Sequence, residues 1–199
     1  QAAEKIYPTY NNLTANIRNE INLGSNSWFE WLPQETIIYD NAKLNRSLAL
    51  NAKSNTEALL GEIVVLGRVA SGEKPNNIFL KDKIEINSNT KLRWMDTILL
   101  NNNLRTAGNS LARLNNCNCF FTIIFLTSNP EDDLDALNEM IEEKTPHNYL
   151  SITCVNGVII IRGIYTNPLK LRKKFAEIWM KIRNNLRGLI NEMPKLWWI

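Results

Sequence analysis

The feature that most constrains this chain is a rhythm of short apolar segments, each closed by a turn-forming cluster, running through its first two-thirds. Segments near 4–7, 16–23, 28–31, 35–40, 44–50, 57–67, 78–86 and 91–100 are rich in Ile, Val, Leu, Thr and aromatic residues. Between them stand clusters such as Gly24-Ser25-Asn26-Ser27 and Lys74-Pro75-Asn76-Asn77, residues that favour turns and resist continuous strand. Strands this closely spaced, with no helical segment between them, predict antiparallel sheets and not a βαβ arrangement. The abundance of asparagine has a second available cause, an AT-rich genome, and by itself signals no chemistry.

From Cys119 the pattern changes. Phe120 to Leu126 reads as a buried strand, and Ser128-Asn129-Pro130-Glu131-Asp132 then supplies a cap, a first-turn proline and acids for a helix running to about Lys144. Tyr149 to Val155 and Val158 to Ile164 predict a hairpin around Asn156-Gly157, a dipeptide suited to a tight turn with positive φ. Thr166-Asn167-Pro168 opens the longest helix, which stops at Gly188. Along it Leu171, Phe175, Ile178, Trp179, Ile182 and Leu186 form one apolar stripe, while most of the lysines lie away from it.

With 199 residues and 44% hydrophobic content, the chain suits a single domain over 1–199 with a sizeable core. A net charge of +3 is too mild and too dispersed for a nucleic-acid surface. No apolar run approaches the roughly 20 residues that span a bilayer, and the first residues lack the plan of a signal peptide. Three cysteines, Cys117, Cys119 and Cys154, make no spaced disulfide framework, so a cytoplasmic location is expected. A strand-like segment at the start with no initiating Met implies an N-terminus cut from a longer protein.

Catalytic chemistry is hard to assemble from these residues, and no enzyme is expected. His147 is the one histidine and lies in a Thr-Pro-His-Asn loop, so any Cys-His arrangement would need it within hydrogen-bond reach of Cys119. Cys117-Asn118-Cys119 offers two soft ligands and no second pair, an unfinished zinc site. Gly61, Gly67 and Gly72 match neither a dinucleotide fingerprint nor a phosphate-binding loop. They predict a bulge or close backbone approach at Gly61 and a turn after Gly67.

What remains is a set of acids inside apolar strands. By two-residue alternation Glu62 shares a face with Leu60, Val64 and Leu66, Glu35 shares one with Ile37 and Tyr39, and Glu30 lies on the side of Trp28. A buried carboxylate is costly without a partner. Two readings stay open: ion pairing with arginines such as Arg46, Arg68 and Arg93, or a carboxylate-lined passage that binds a divalent cation weakly enough to let it move on.

Several blocks carry a resemblance. Gln1 to Tyr7, the run Glu30-Trp31-Leu32-Pro33-Gln34-Glu35-Thr36-Ile37-Ile38-Tyr39-Asp40, and Gly61-Glu62 through Leu66-Gly67-Arg68-Val69-Ala70-Ser71-Gly72-Glu73 resemble, in order and spacing, the urease accessory protein UreD family, called UreH in some organisms. Gly157 to Arg162, Ile178 to Arg183 and Pro194-Lys195-Leu196-Trp197 are similar to its C-terminal pattern. The family's opening strands are missing, and the ending Lys195-Leu196-Trp197-Trp198-Ile199 departs from the usual one. Loss of those strands would leave open sheet edges, so the fragment alone is expected to be unstable.

The resemblance implies a mainly β fold, an antiparallel or helical β-sheet scaffold with two α-helices in the C-terminal third. It implies a non-enzymatic scaffold that works with UreF and UreG on apo-urease, where GTP hydrolysis by UreG accompanies insertion of nickel. No cofactor would be held permanently, and nickel(II) would pass transiently. By that analogy Glu30, Glu35, Asp40, Glu62 and Glu73 are candidates for nickel passage. Trp179, Trp197 and Trp198 are candidates for an apolar contact with UreF. The competing reading is a diverged or degraded β-rich binding or structural protein without the urease role.

Overall fold

The computed structural model describes residues 3–68, 72–73, 75–101, 110, 113–141 and 149–198, the backbone alone at Tyr149. Its strands are β1 (Glu4–Ile6), β2 (Ala15–Leu23), β3 (Trp28–Trp31), β4 (Thr36–Ile38), β5 (Lys43–Ala52), β6 (Glu57–Leu66), β7 (Phe79–Ser88), β8 (Lys91–Asn101), β9 (Cys119–Leu126), β10 (Tyr149–Val155) and β11 (Val158–Tyr165). The helices are α1 (Pro130–Met140) and α2 (Pro168–Lys181), the second continued by a π-helical turn Ile182–Leu186. Segment by segment this follows the apolar rhythm of the sequence.

The pairing differs from the antiparallel expectation in part. One sheet has the order β1-β4-β6-β9-β11-β10, with β3 also on β6, and the other has the order β2-β5-β7-β8. From β1 to β7 the chain passes back and forth between the two sheets, with β3 and β4 together making one pass through the larger, so neighbours within each sheet run the same way: β1–β4, β2–β5, β3–β6, β4–β6 and β5–β7 are parallel. Parallel strands need a crossover, usually a helix. Here the crossover is a strand of the facing sheet, which is why a helix-free sequence still yields parallel pairs and a coiled, solenoid-like first half. The second half, β7–β8, β6–β9, β9–β11 and β10–β11, is antiparallel as expected.

Asparagine is structural in this coil. Asn12, Asn26, Asn41, Asn55, Asn89 and Asn156 adopt positive φ at turns, a conformation their short polar side chain tolerates. Asn22, Asn51 and Asn87 stack in register on the outer face, donating amide to carbonyl at 2.9 and 3.1 Å, and Asn45 bonds Asn16 at 2.9 Å. Both hairpin turns, Asn89-Thr90 and Asn156-Gly157, have two consecutive positive φ values, the geometry that matches strand twist.

On the other face of the larger sheet lie the helices. Asn167 caps α2 by accepting from the Lys170 amide at 3.0 Å, and Pro168 occupies the first turn, where no amide is needed. Helix α2 lays Leu171, Phe175, Ile178 and Trp179 on Phe121, Ile123, Ile159 and Ile161, and the chain leaves it at Gly188 with φ of 62°. Helix α1 ends at Met140, and its expected extension to Lys144 lies outside the described residues.

Gly61 is the close approach foreseen in sequence: a Cβ there would stand 2.3 Å from Phe175 Cζ and 2.8 Å from the Trp179 ring. Gly61→Ala is therefore expected to lift α2 and cost about 1–3 kcal/mol, read as a lower urea midpoint. An unchanged midpoint would mean that the helix does not press on β6.

Candidate functional site

Between the two sheets, inward positions alternate apolar, polar, apolar at one height. Strand β5 presents Leu44, Arg46 and Leu48; β6 presents Leu60, Glu62 and Val64; β7 presents Leu80, Asp82 and Ile84; β9 presents Phe120, Thr122 and Ile124. The register aligns Arg46 with Asp82 and Glu62 with Thr122. On one side of this row Ile38, Leu44, Val64, Leu80 and Phe120 form one apolar cluster, and on the other Leu48, Leu60, Ile84 and Ile124 form a second. A polar layer one residue thick thus divides a core that could have been continuous.

Arg46 is the centre of the layer, only 6% exposed. Its Nε donates to Asp82 Oδ1 at 3.1 Å, its Nη2 reaches Glu62 Oε2 at 2.6 Å and Asp82 Oδ2 at 2.5 Å, and its Nη1 donates to Thr36 Oγ1 at 3.0 Å. Thr36 in turn donates to Glu4 Oε2 at 3.2 Å. At the opposite margin Arg162 of β11 binds Asp96 of β8 at 2.6 Å and lies over the Trp94 ring. Two hollows flank the centre. A cavity of about 80 Å³ is lined by Glu4, Gln34, Thr36, Arg46 and Glu62, and one of about 10 Å³ by Glu62, Asp82, Trp94, Asp96 and Thr122. The first has room for several waters, the second for about one.

One guanidinium faces three carboxylates, and the imbalance shows in protonation. Burial pushes the Glu62 carboxyl up to about 8; Asp82 and Glu4 add to the rise and Arg46 opposes it. The same carboxylates hold Arg46 protonated, against the pull of burial. An unfolded glutamate ionises near 4.3, so across the window from there to about 8 the folded chain keeps a proton that the unfolded chain releases. Stability from this group is complete below that window and is lost as pH rises through it. Urea midpoints of the wild type are expected to fall between about pH 5 and 8, and Glu62→Gln is expected to flatten that fall. Parallel profiles for the two proteins would contradict the assignment.

The acids singled out in the sequence are not brought together at one site, although Asp40 and Glu73 meet at one loop. Glu62 alone lies in the polar layer. Glu30, on the helix side of β3, accepts from Trp28 Nε1 at 2.9 Å, Trp179 Nε1 at 3.1 Å and Arg183 Nε at 3.0 Å, and so ties α2 to the sheet. Glu35 meets Arg172 of α2 at 3.5 Å. Asp40 accepts from the amides of Asn76 and Asn77 at 2.7 and 2.9 Å, stapling a loop. Glu73 accepts from Arg68 Nε at 2.9 Å and from the Asp40 amide at 3.3 Å, and the Arg68 bond holds its carboxyl below the usual range against a small opposing push from burial. Pairing with Arg46 and Arg68 matches the ion-pair reading; Arg183 and Arg172 take the roles for which Arg93 had been a candidate. No group of three or more His, Cys, Asp or Glu among the described residues is arranged to hold a metal.

Of the three candidate tryptophans, Trp179 is fully buried and stacks on Phe175 at 5.4 Å, and Trp197, 2% exposed, stacks on the same ring at 5.3 Å. Trp198 is 54% exposed beside Leu196 at 67%. The Cys119 thiol is buried, donates to the Tyr165 carbonyl at 3.0 Å and is pushed up to about 12 by burial, which makes it a poor nucleophile. His147 lies outside the described residues.

The model of the UreD urease accessory protein family matches residues 1–198. The chain belongs to the UreD family. Among its curated relatives, the urease accessory protein UreD of Magnetococcus marinus is 27% identical, over 99% of this chain and 68% of its own length. That of Ruegeria pomeroyi is 26% identical over 100% and 74%, and that of Saccharophagus degradans 29% over 89% and 61%. The chain thus spans about two-thirds of the length of these relatives. No helix among the described residues is long and apolar enough to cross a membrane.

Within this UreD-family chain, sequence reasoning singled out Glu62 and named Arg46 only as one of three arginines available for ion pairing. It missed Asp82, Asp96, Thr122 and Arg162. The signal was present: each interrupts an inward apolar alternation, as in Leu80-Lys81-Asp82-Lys83-Ile84 and Ile160-Ile161-Arg162-Gly163-Ile164. What one strand cannot reveal is that these interruptions fall at the same height on facing sheets.

Proposed function

We propose that this chain is a non-enzymatic scaffold in urease maturation, which joins UreF and UreG to apo-urease in the cytoplasm and passes nickel(II) through the polar layer between its sheets. The observation that carries the route is the layer itself. A buried ionic row commonly contributes less to stability than apolar side chains of the same size would, so its presence across an otherwise apolar core suits transit better than support. Its oxygen donors, Glu4, Thr36, Glu62, Asp82 and Asp96, without histidine or thiolate, suit weak and reversible binding of a divalent ion. GTP enters through UreG, and no group is held permanently by this chain.

The partner contact falls to what is exposed. Trp198, Leu196, Ile190 and Leu169 are more than half exposed, whereas Trp179 and Trp197 support the helix beneath. Trp198→Ala in the full-length protein is expected to weaken capture of UreF by about tenfold with unchanged folding. The function is tested by co-expressing the full-length protein with urease subunits, UreF and UreG, then measuring the nickel content of purified urease. Nickel-loaded urease only when this protein is present is the expected result; equal loading without it would contradict the proposal.

A further inference from the structure

The two hollows in the polar layer do not join. Both are lined by Glu62; Arg46 lines the larger and Asp82 the smaller. What divides them is the contact of the Arg46 guanidinium with those two carboxylates. Arg46 uses Nη2 on both acids, so the head group sits in the position from which a cation would meet Glu62 Oε2 and Asp82 Oδ2 together. A divalent ion and the guanidinium therefore compete for the same oxygens, and both cannot hold them at once.

We propose that Arg46 is an exchangeable plug, a positioning residue that must release Glu62 and Asp82 before a divalent cation can cross from the larger hollow to the smaller. This rests on the reading of the layer as a nickel route. Thr36 and Glu4 give the plug somewhere to go: Nη1 already bonds Thr36 Oγ1 at 3.0 Å, and Glu4 Oε2 lies 4.0 Å away on the side of the larger hollow. A swing towards Glu4 keeps the guanidinium paired while it frees the two inner acids. Competition also keeps net affinity low, because each ion bound costs one broken charge-assisted fork.

The test uses the full-length protein and nickel(II) alone, with affinity measured by calorimetry. Arg46→Gln removes the competitor and is expected to tighten nickel binding by about tenfold or more relative to wild type. The triple change Arg46→Gln, Glu62→Gln, Asp82→Asn is expected to lose that gain. Arg46→Lys, which keeps the charge but not the fork, is expected to fall between. An Arg46→Gln protein with native circular dichroism and wild-type affinity would overturn the plug, as would a gain that survives in the triple variant. Should Arg46→Gln fold only with nickel present, that metal-dependent folding supports it, and the Arg46→Lys affinity then decides: no gain over wild type would overturn it. Failure of wild-type protein to support nickel loading of urease would remove the delivery role and leave this comparison of affinities intact.

Discussion

Trp179→Ala is expected to cost about 3–5 kcal/mol, enough to populate the unfolded chain under ordinary conditions. The indole is completely buried, stacks on Phe175, fills the space left by Gly61 and donates to Glu30. Its loss opens a cavity between α2 and β6 and removes one of the three donors of a half-buried carboxylate, two penalties that add. Trp179→Phe keeps a six-membered ring and gives up the pyrrole ring with its Nε1 bond, so a smaller cost of about 1–2 kcal/mol is expected. Urea unfolding followed by circular dichroism separates the two. Equal, small losses would mean that α2 is not held by this side chain.

The second large effect is at Arg46. In the presence of a chelator, Arg46→Met is expected to lose about 3–5 kcal/mol at neutral pH, because Asp82 and Glu4 are left facing each other beside a protonated Glu62 without a counter-charge. Protonation relieves that repulsion, so the loss is expected to shrink as pH falls towards 5. Replacing the whole centre with Arg46→Met, Glu62→Leu and Asp82→Leu is expected to recover most of the loss, since the two apolar clusters then meet. Urea midpoints at pH 5 and 7.5 measure both. A triple variant weaker than Arg46→Met would contradict the view that the polar layer costs stability.

Much of the fold was legible because strand rhythm and turn residues are local. The segments around β5, β6, β7 and β9 and the stripe of α2 follow directly from side-chain period, and Gly61 announced its close approach. Strand direction was not legible, because whether β5 lies beside β2 or β4 depends on which sheet each turn feeds, a long-range choice. Asparagine was read as background, yet Asn22, Asn51 and Asn87 form a ladder that exists only once three parallel strands are in register. The candidate site was legible by residue type but not by place. Glu30 and Glu62 look alike in sequence, both acids within apolar runs, and fall on opposite faces of the same sheet.

That separation supplies the most direct test of a cation route between the sheets. In the full-length protein, co-expressed with urease and its other accessory proteins, Glu62→Gln and Glu35→Gln are compared for urease activation at matched protein levels. Glu62 lines both hollows, whereas Glu35 pairs with Arg172 beside α2. The account expects activation to fall about tenfold or more in Glu62→Gln and to stay near wild type in Glu35→Gln. Wild-type activation by a folded Glu62→Gln protein would contradict it.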